Sequence, residues 1–422
     1  MTWQAAAPGQ LTMLGRVSAS RSVRTKDVDM SAGAVRKLRR SNRELLLDVL
    51  LTEGPMHRAE LARRTDVSRT TASIVVTELL ERGLVIETDE ISQNADGRAK
   101  ETLAVNPAAA LIVGMDFTFD RVWVQIGDLG WNEVASDGTS VDVGLGWLER
   151  IDAGMAILER MLAERGLDRS RILGAGIGVP GPVDRATGHV GVSLPGQPWS
   201  HVHAAEEFRR RLDMPVFIEN STRLEAIAET RWGAGQDVDT LLYVCMSSGI
   251  GSGLIVNGRP YSGAVGAAGE LGHVSVEING PACGCGNRGC LVLYAGIPAV
   301  LGALRAHLGE QATIGDVLTR CAEGDRACAG VLADAGQVTG QVLAGLCNLL
   351  NPGRIVVGGE LATAGDVLLD PMRAAIRRYA LSLVRDVEVV PSNLDLGVRA
   401  GAAGGVALVH GDTTALVAAL AG

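Results

Sequence analysis

The sequence predicts an α/β protein in which a small helical domain precedes a larger body of alternating strands and helices. Three observations carry that expectation. Between Ser41 and Gly83 three short amphipathic segments are each bounded by capping and stop signals. After Asn106-Pro107, apolar runs of strand length alternate with helical ones. The charge also changes sign between the two parts. Residues 1–106 hold 16 Lys and Arg against 14 Asp and Glu, a balance of +2; the whole chain is −9, so the remainder is −11. The front can approach a polyanion and the back would repel one.

At 422 residues, with 47% of them apolar, the chain is too long for one ordinary core. It contains no run of eighteen uncharged apolar residues, which argues against a helical membrane span. Residues 1–33 carry Arg16, Arg21, Arg24 and Lys26 without the apolar core of a signal peptide, and are expected to be a disordered arm; Met13 and Met30 are alternative starts. Three of the seven cysteines lie in one short cluster, while Cys245, Cys321, Cys328 and Cys347 are scattered in apolar surroundings. That is no disulfide framework, and a reducing, cytoplasmic setting is expected.

Residues 34–106 read as a winged helix-turn-helix. Ser41-Asn42-Arg43-Glu44 has capping-box spacing ahead of Leu45, Leu46, Val49 and Leu50, and Gly54-Pro55 stops that helix. A second helix fits His57 to Arg64, with Leu61 and Ala62 inward and a turn at Asp66-Val67. Ser68 caps a third, which runs through Ile74, Val75, Leu79 and Leu80 to Gly83. In such an arrangement the start of the last helix enters the major groove of double-stranded DNA, so Ser68, Arg69, Thr70, Thr71 and Ser73 are the expected contacts. Strand-like runs Leu84–Thr88 and Glu101–Val105 flank a polar loop in which Arg98 is placed to reach a minor groove. Arg36, Lys37, Arg39, Arg40 and Arg43 add positive charge ahead of these helices.

Residues 107–422 follow a different rhythm. Strands are expected at Leu111–Met115, Val122–Gly127, Leu173–Val179, Val216–Glu219, Leu241–Met246 and Arg354–Val357. Helices fit Leu148–Arg165, Ala204–Leu212, Thr222–Trp232, Ala329–Asn351 and Ala364–Ala380, the last with a break expected at Pro371. Within this body His273, Cys283, Cys285 and Cys290 supply one imidazole and three thiolates in a glycine-rich loop. That donor set suits a closed, structural Zn²⁺ site.

The order of motifs here resembles the ROK (repressor, open reading frame, kinase) family. The motifs are Gly176-Ile-Gly-Val-Pro-Gly-Pro-Val-Asp184, Ser248-Gly-Ile-Gly-Ser-Gly253, Glu270-Leu-Gly-His273, the cysteine cluster and Asn351-Pro-Gly-Arg-Ile-Val-Val-Gly-Gly359. The resemblance covers residues 36 to 410. It implies a two-lobed, actin-like (ribonuclease H-like) ATPase fold, found in sugar kinases and in sugar-responsive repressors that add a winged helix-turn-helix. It also implies that Asn220, Glu270 and His273 bind a sugar effector, with His273 using its second ring nitrogen for a hydroxyl. A further family carboxylate is replaced by Val292.

Phosphoryl transfer in the family needs a general base, the Asp of an E-N-D motif, where this chain has Glu219-Asn220-Ser221. A serine hydroxyl is no base near neutral pH, and its loss costs about 10²–10⁴-fold in rate. Glu225 could stand in, but Thr222-x-x-Glu225 also has capping-box spacing. Asp116-Phe-Thr-Phe-Asp120 puts two phenylalanines where kinases have phosphate-binding glycines. Gly249, Gly251, Gly253, Gly358 and Gly359 survive, to be read as structural in preference to nucleotide-binding. Arg223 suggests either an acidic or phosphorylated sugar or merely a solvent-facing helix residue.

The expected function is therefore a sugar-responsive transcription regulator without enzyme activity, and ATP use is not expected. It would act as a homodimer or homotetramer on operator DNA, with no membrane partner. The alternatives are an ATP-dependent sugar kinase carrying a DNA-binding domain and a DNA-binding protein whose effector site is dead.

Overall fold

The computed structural model describes residues 32–88, 102–191, 198–394 and 398–421, with side chains in the first helix from Ser41 onward. Arg98 lies outside the described residues, as does the 1–31 segment.

Helix α1 spans Ala32–Glu53. It begins well before Ser41, because Ala34 to Arg40 are mostly good helix formers and the helix simply continues through the supposed cap. Strand β1 (Met56–His57), α2 (Arg58–Arg64) and α3 (Arg69–Glu81) follow, then β2 (Val85–Thr88) and β3 (Thr102–Val105). The three strands form a sheet in the order β1-β3-β2, which completes a winged helix-turn-helix. Asp66 (φ 52) makes the turn into α3, the Ser68 hydroxyl accepts from the Thr71 amide, and Gly83 (φ 66) ends the helix.

The body contains two sheets of identical topology. In the first, β4 (Leu111–Phe117), β5 (Arg121–Asp128) and β6 (Glu133–Ser140) form an antiparallel meander, and β7 (Ile172–Val179) and β10 (Val216–Asn220) extend it in parallel from β4. A small hairpin of β8 (Val183–Asp184) and β9 (His189–Val190) lies between these last two in sequence. In the second, β11 (Leu241–Met246), β12 (Ile250–Val256) and β13 (Arg259–Pro260) form the meander, and β14 (Arg354–Gly358) and β15 (Glu388–Pro391) the parallel extension. The sheet orders β10-β7-β4-β5-β6 and β13-β12-β11-β14-β15 are the same pattern written in opposite directions.

Side-chain alternation along the first strand of each sheet separates the layers. Leu111, Val113 and Met115 pack on α4 (Trp147–Arg165) and α5 (Ala204–Leu212), whereas Ile112, Gly114 and Asp116 face the opposite side. In the second lobe Leu242, Val244 and Met246 join the core built by α7 (Val292–Ala295), α8 (Ile297–Leu308), α9 (Ile314–Ala322), α10 (Arg326–Leu350) and α11 (Asp366–Tyr379). Helix α11 runs through Pro371 as a single element, without the expected break. Leu241 and Tyr243 face the other way, onto Ala226 of α6 (Ser221–Trp232).

Two helices fill the space between the lobes. Helix α6 packs on β11 and β12, and α12 (Val398–His410) packs on β4, β5, β7 and α6. Helix α12 was invisible in the sequence, and so was α13 (Thr413–Ala421), which packs against α1. One hydrophobic core therefore joins the winged domain to the body: Leu46, Leu50, Val76 and Leu103 share it with Ile112, Val406, Leu416 and Leu420. Arg82, just after α3, donates to the carbonyl of Leu420 at 3.3 Å.

Candidate functional site

On the winged domain the exposed start of α3 gathers Ser68, Arg69 and Thr70, with Thr71 and Ser73 half-buried. The Thr71 hydroxyl is engaged with Ser68 at 2.8 Å, so these two act together as the cap. Arg69 makes no ion pair among the described residues and is available to a base edge or phosphate. Arg43, by contrast, is held by Glu78 at 2.6 Å. Ile74, which the sequence pattern placed among the apolar residues of the helix, is 56% exposed beside Ser73 and Thr77. Its exposure was concealed because Val75 and Val76 follow it directly and the apolar run has no unique phase.

Between the lobes, Glu219 is the centre of a polar cluster with Arg223, Ser262 and Arg185. It is fully buried at the end of β10, and Arg223, 1% exposed and one turn into α6, contacts its Oε1 through Nη2 at 2.6 Å and Nε at 2.7 Å. The same guanidinium donates to the carbonyls of Ala268 (2.8 Å) and Gly266 (3.0 Å). Arg223 therefore neither points to solvent nor reaches toward a ligand phosphate; burial forces its donors onto protein acceptors. The Ser262 hydroxyl donates to Glu219 Oε2 at 3.2 Å, and Arg185 approaches it at 3.5 Å. The i, i+4 pair across a strand-to-helix boundary was the sequence signal for this lock, and it was missed.

The lock holds the loop that presents Glu270 and His273. Gly266 (φ 76) passes so close to β8 that a Cβ would sit 1.8 Å from the Val183 carbonyl, and Gly269 (φ 100) does the same against Ser252 of β12. Only glycine permits both approaches. Glu270 emerges from them half-buried, its carboxyl group without a hydrogen bond to any described residue. Burial raises its pKa, partly offset by the charge of Arg223. Asn220 is employed differently: its Oδ1 caps α6 by accepting from the Arg223 amide at 3.2 Å, and its Nδ2 donates to Gly181 at 2.9 Å. Of the three residues that the family resemblance implies for a sugar, Glu270 and His273 keep polar atoms in hand, while Asn220 has only spare valence.

His273 turns Nδ1 toward Cys283 Sγ at 3.7 Å, and Cys285 and Cys290 lie 3.6 Å apart. Ligand atoms of all four residues lie within 4.8 Å of one another. A tetrahedral ion with bonds of about 2.0–2.3 Å has edges of about 3.3–3.8 Å, so the donors fit a metal ion. Burial lowers the pKa of His273, which keeps the imidazole neutral and able to ligate. Cys290 is pushed up to about 12, first by burial and then by its cysteine neighbours; a cation among the sulfurs would reverse that repulsion.

The kinase-like residues have other occupations. Phe117 is buried in the first lobe against Trp199 and Phe208, so only Phe119, 49% exposed, lies at the loop where two phenylalanines were expected. The α6 cap is Asn220 and not Thr222, and Glu225 is buried deep beneath the helix start instead of closing a capping box. Gly251 and Gly253 belong to strand β12, where Cβ atoms would meet Thr222 and Ala226 of α6. Gly358 abuts Tyr243.

Asp116 and Glu225 face each other's charge across this interlobe layer. Burial raises Asp116 to about 7, offset in part by the nearby Ser221 hydroxyl, and raises Glu225 to about 8, with Asp116 adding to the rise. Neither Asp116 oxygen, nor Ser221 Oγ, nor Glu225 Oε2 has a partner in strict hydrogen-bond geometry among the described residues.

Residues 152–412 match the ROK family, and residues 45–99 match the MarR family. The chain is 28% identical to the xylose repressor of Bacillus subtilis over 358 residues, covering 85% of this chain and 92% of that one. It is 32% identical to the glucokinase of Thermotoga maritima over 244 residues, 54% of this chain and 77% of that one. A solved ROK family transcriptional regulator, a homologue of the E. coli MLC protein, superposes with a TM-score of 0.75 at 25% identity over 91% of this chain and 98% of that one. With the duplicated lobes, the E-L-G-H loop and the four-donor cluster all in place, this chain belongs to the ROK family.

Proposed function

We propose that the protein is a sugar-responsive, DNA-binding transcription regulator, a repressor like its relatives, whose kinase-like body binds a small sugar without phosphorylating it. The observation that carries this reading is the single core joining a winged helix-turn-helix to a kinase-like body with Ser221 at the base position. A kinase has no need of that join; a regulator does.

In this reading Glu270 accepts hydrogen bonds from sugar hydroxyls, and His273 offers Nε2 to another while Nδ1 faces the cysteines. Zinc bound by His273, Cys283, Cys285 and Cys290 supplies rigidity and fixes the imidazole, with every coordination position taken by protein. Arg223 and Glu219 position the loop by holding it to the start of α6. At its other end α6 carries Arg231 and Trp232 onto Trp131, which stacks on His410 of α12 at 3.5 Å. A change in lobe angle at the sugar would pass through α6 and α12 to α13, and so to α1 and the recognition helix.

Two such helices must match half-sites spaced by whole DNA turns, so a homodimer or larger homo-oligomer on a palindromic operator is the expected form. The DNA partner and unpaired cysteines support a cytoplasmic setting, and among the described residues no single helix is long and apolar enough to cross a membrane.

Several features oppose phosphoryl transfer. Ser221 is no base, and a Glu225 pushed to about 8 is largely protonated at neutral pH. An ADP-release assay over a hexose, pentose and amino-sugar panel tests this. The reading expects no turnover; sugar-dependent turnover lost in Glu225→Gln would overturn it in favour of the kinase.

A further inference from the structure

A second group of metal-binding side chains lies away from the sugar pocket, on the outer helices of the second lobe. His307 near the end of α8, Asp325 capping α10 and Cys328 in the first turn of α10 bring one ligand atom each within 4.8 Å of the others. In the sequence Cys328 had seemed one more cysteine in apolar surroundings. We propose that His307 Nε2, Asp325 Oδ2 and Cys328 Sγ form a second site for a borderline-soft divalent ion of the zinc type, which ties α8 to α10.

Several details favour a ligand set over a chance meeting. Asp325 is oriented as a ligand would be. Its Oδ1 accepts from the amides of Ala327 (2.9 Å) and Cys328 (3.1 Å), while Oδ2 hydrogen-bonds His307 Nε2 at 2.7 Å, a contact that an ion between the two atoms would have to open to about 3.3 Å. Those capping bonds are the kind of outer contact that fixes a ligating carboxylate. Half-exposed His307 leaves the remaining position open to water. Imidazole, carboxylate and thiolate together suit Zn²⁺, and suit Mg²⁺ or Ca²⁺ poorly.

Metal stoichiometry of the full chain, measured by native mass spectrometry after loading with Zn²⁺ and removal of excess, decides the matter. His307→Ala changes a half-exposed side chain, and Asp325→Asn keeps a good helix cap while removing the anionic ligand. Each variant should carry one ion fewer than the wild type, with unchanged circular dichroism. Co²⁺ loaded into the triple variant Cys283→Ser, Cys285→Ser, Cys290→Ser, which keeps no thiolate in the first cluster, should still show tetrahedral absorption with a thiolate charge-transfer band, and that band should vanish on adding Cys328→Ser. Equal ion counts in the wild type, His307→Ala and Asp325→Asn would overturn the proposal whatever the first cluster holds.

Discussion

The buried carboxyl pair between the lobes makes stability fall as pH rises. Asp116 goes from 3.8 to about 7 on folding and Glu225 from 4.5 to about 8, each raised chiefly by burial. Between the unfolded and folded values the native protein holds protons that the unfolded chain has released. The pair therefore costs nothing below about pH 4, and the destabilisation accumulates up to about pH 8 and stays constant above it. A displacement of about three pKa units corresponds to on the order of 4 kcal/mol for one group. Asp116→Asn removes one carboxyl and relieves its repulsion of the other, but burial still raises Glu225, so it should flatten about half of the fall. Urea denaturation at about pH 5 and about pH 8.5 measures it. The wild type should lose several kcal/mol between the two conditions, and the double variant Asp116→Asn, Glu225→Gln should lose little. A wild type equally stable at both, or a double variant with the same slope, would show that the pair does not titrate in this way.

Other parts can be tested separately. Arg223→Met leaves Glu219 buried with only Arg185 for an ionic partner, and should cost about 3–5 kcal/mol in denaturation and weaken sugar binding through the displaced loop. Arg69→Ala should reduce operator affinity by about 1–3 kcal/mol in fluorescence anisotropy, with metal content unchanged. Cys285→Ser should lose one zinc by mass spectrometry together with the sugar response; full retention of that zinc would dismiss the ligand assignment. Truncation after Asp412 exposes the face that Leu416, Val417 and Leu420 cover, and should lower the melting temperature of the winged domain first.

What could be read from the chain follows from where the physical signal is local. Caps, turns and strand runs placed α2, α3 and the inner strands within a residue or two, because Ser68, Gly83 and the β-branched runs act on their immediate neighbours. The cysteine cluster was equally local. Helices α12 and α13 left no such trace: Val398–His410 is rich in Ala and Gly because its backbone lies against Asp116, Leu224 and Gly176, and close approach erases the amphipathic period. The burial of Glu225 was illegible for a related reason, and the Arg223–Glu219 lock showed only as an i, i+4 pair whose burial the sequence does not state. Whether a charged residue on a helix meets water or a second lobe depends on tertiary packing that no local pattern records.

If a sugar controls DNA binding here without being chemically changed, binding and release must both occur with no nucleotide present. Anisotropy of a labelled fragment from the promoter of this protein's own gene, titrated with the sugar panel in the absence of ATP, measures both. The protein should bind the fragment, one sugar should release it, and that sugar should be recovered unphosphorylated even when ATP is later supplied. Failure to bind such DNA, or release that occurs only with ATP turnover, would be incompatible with a regulator of this kind.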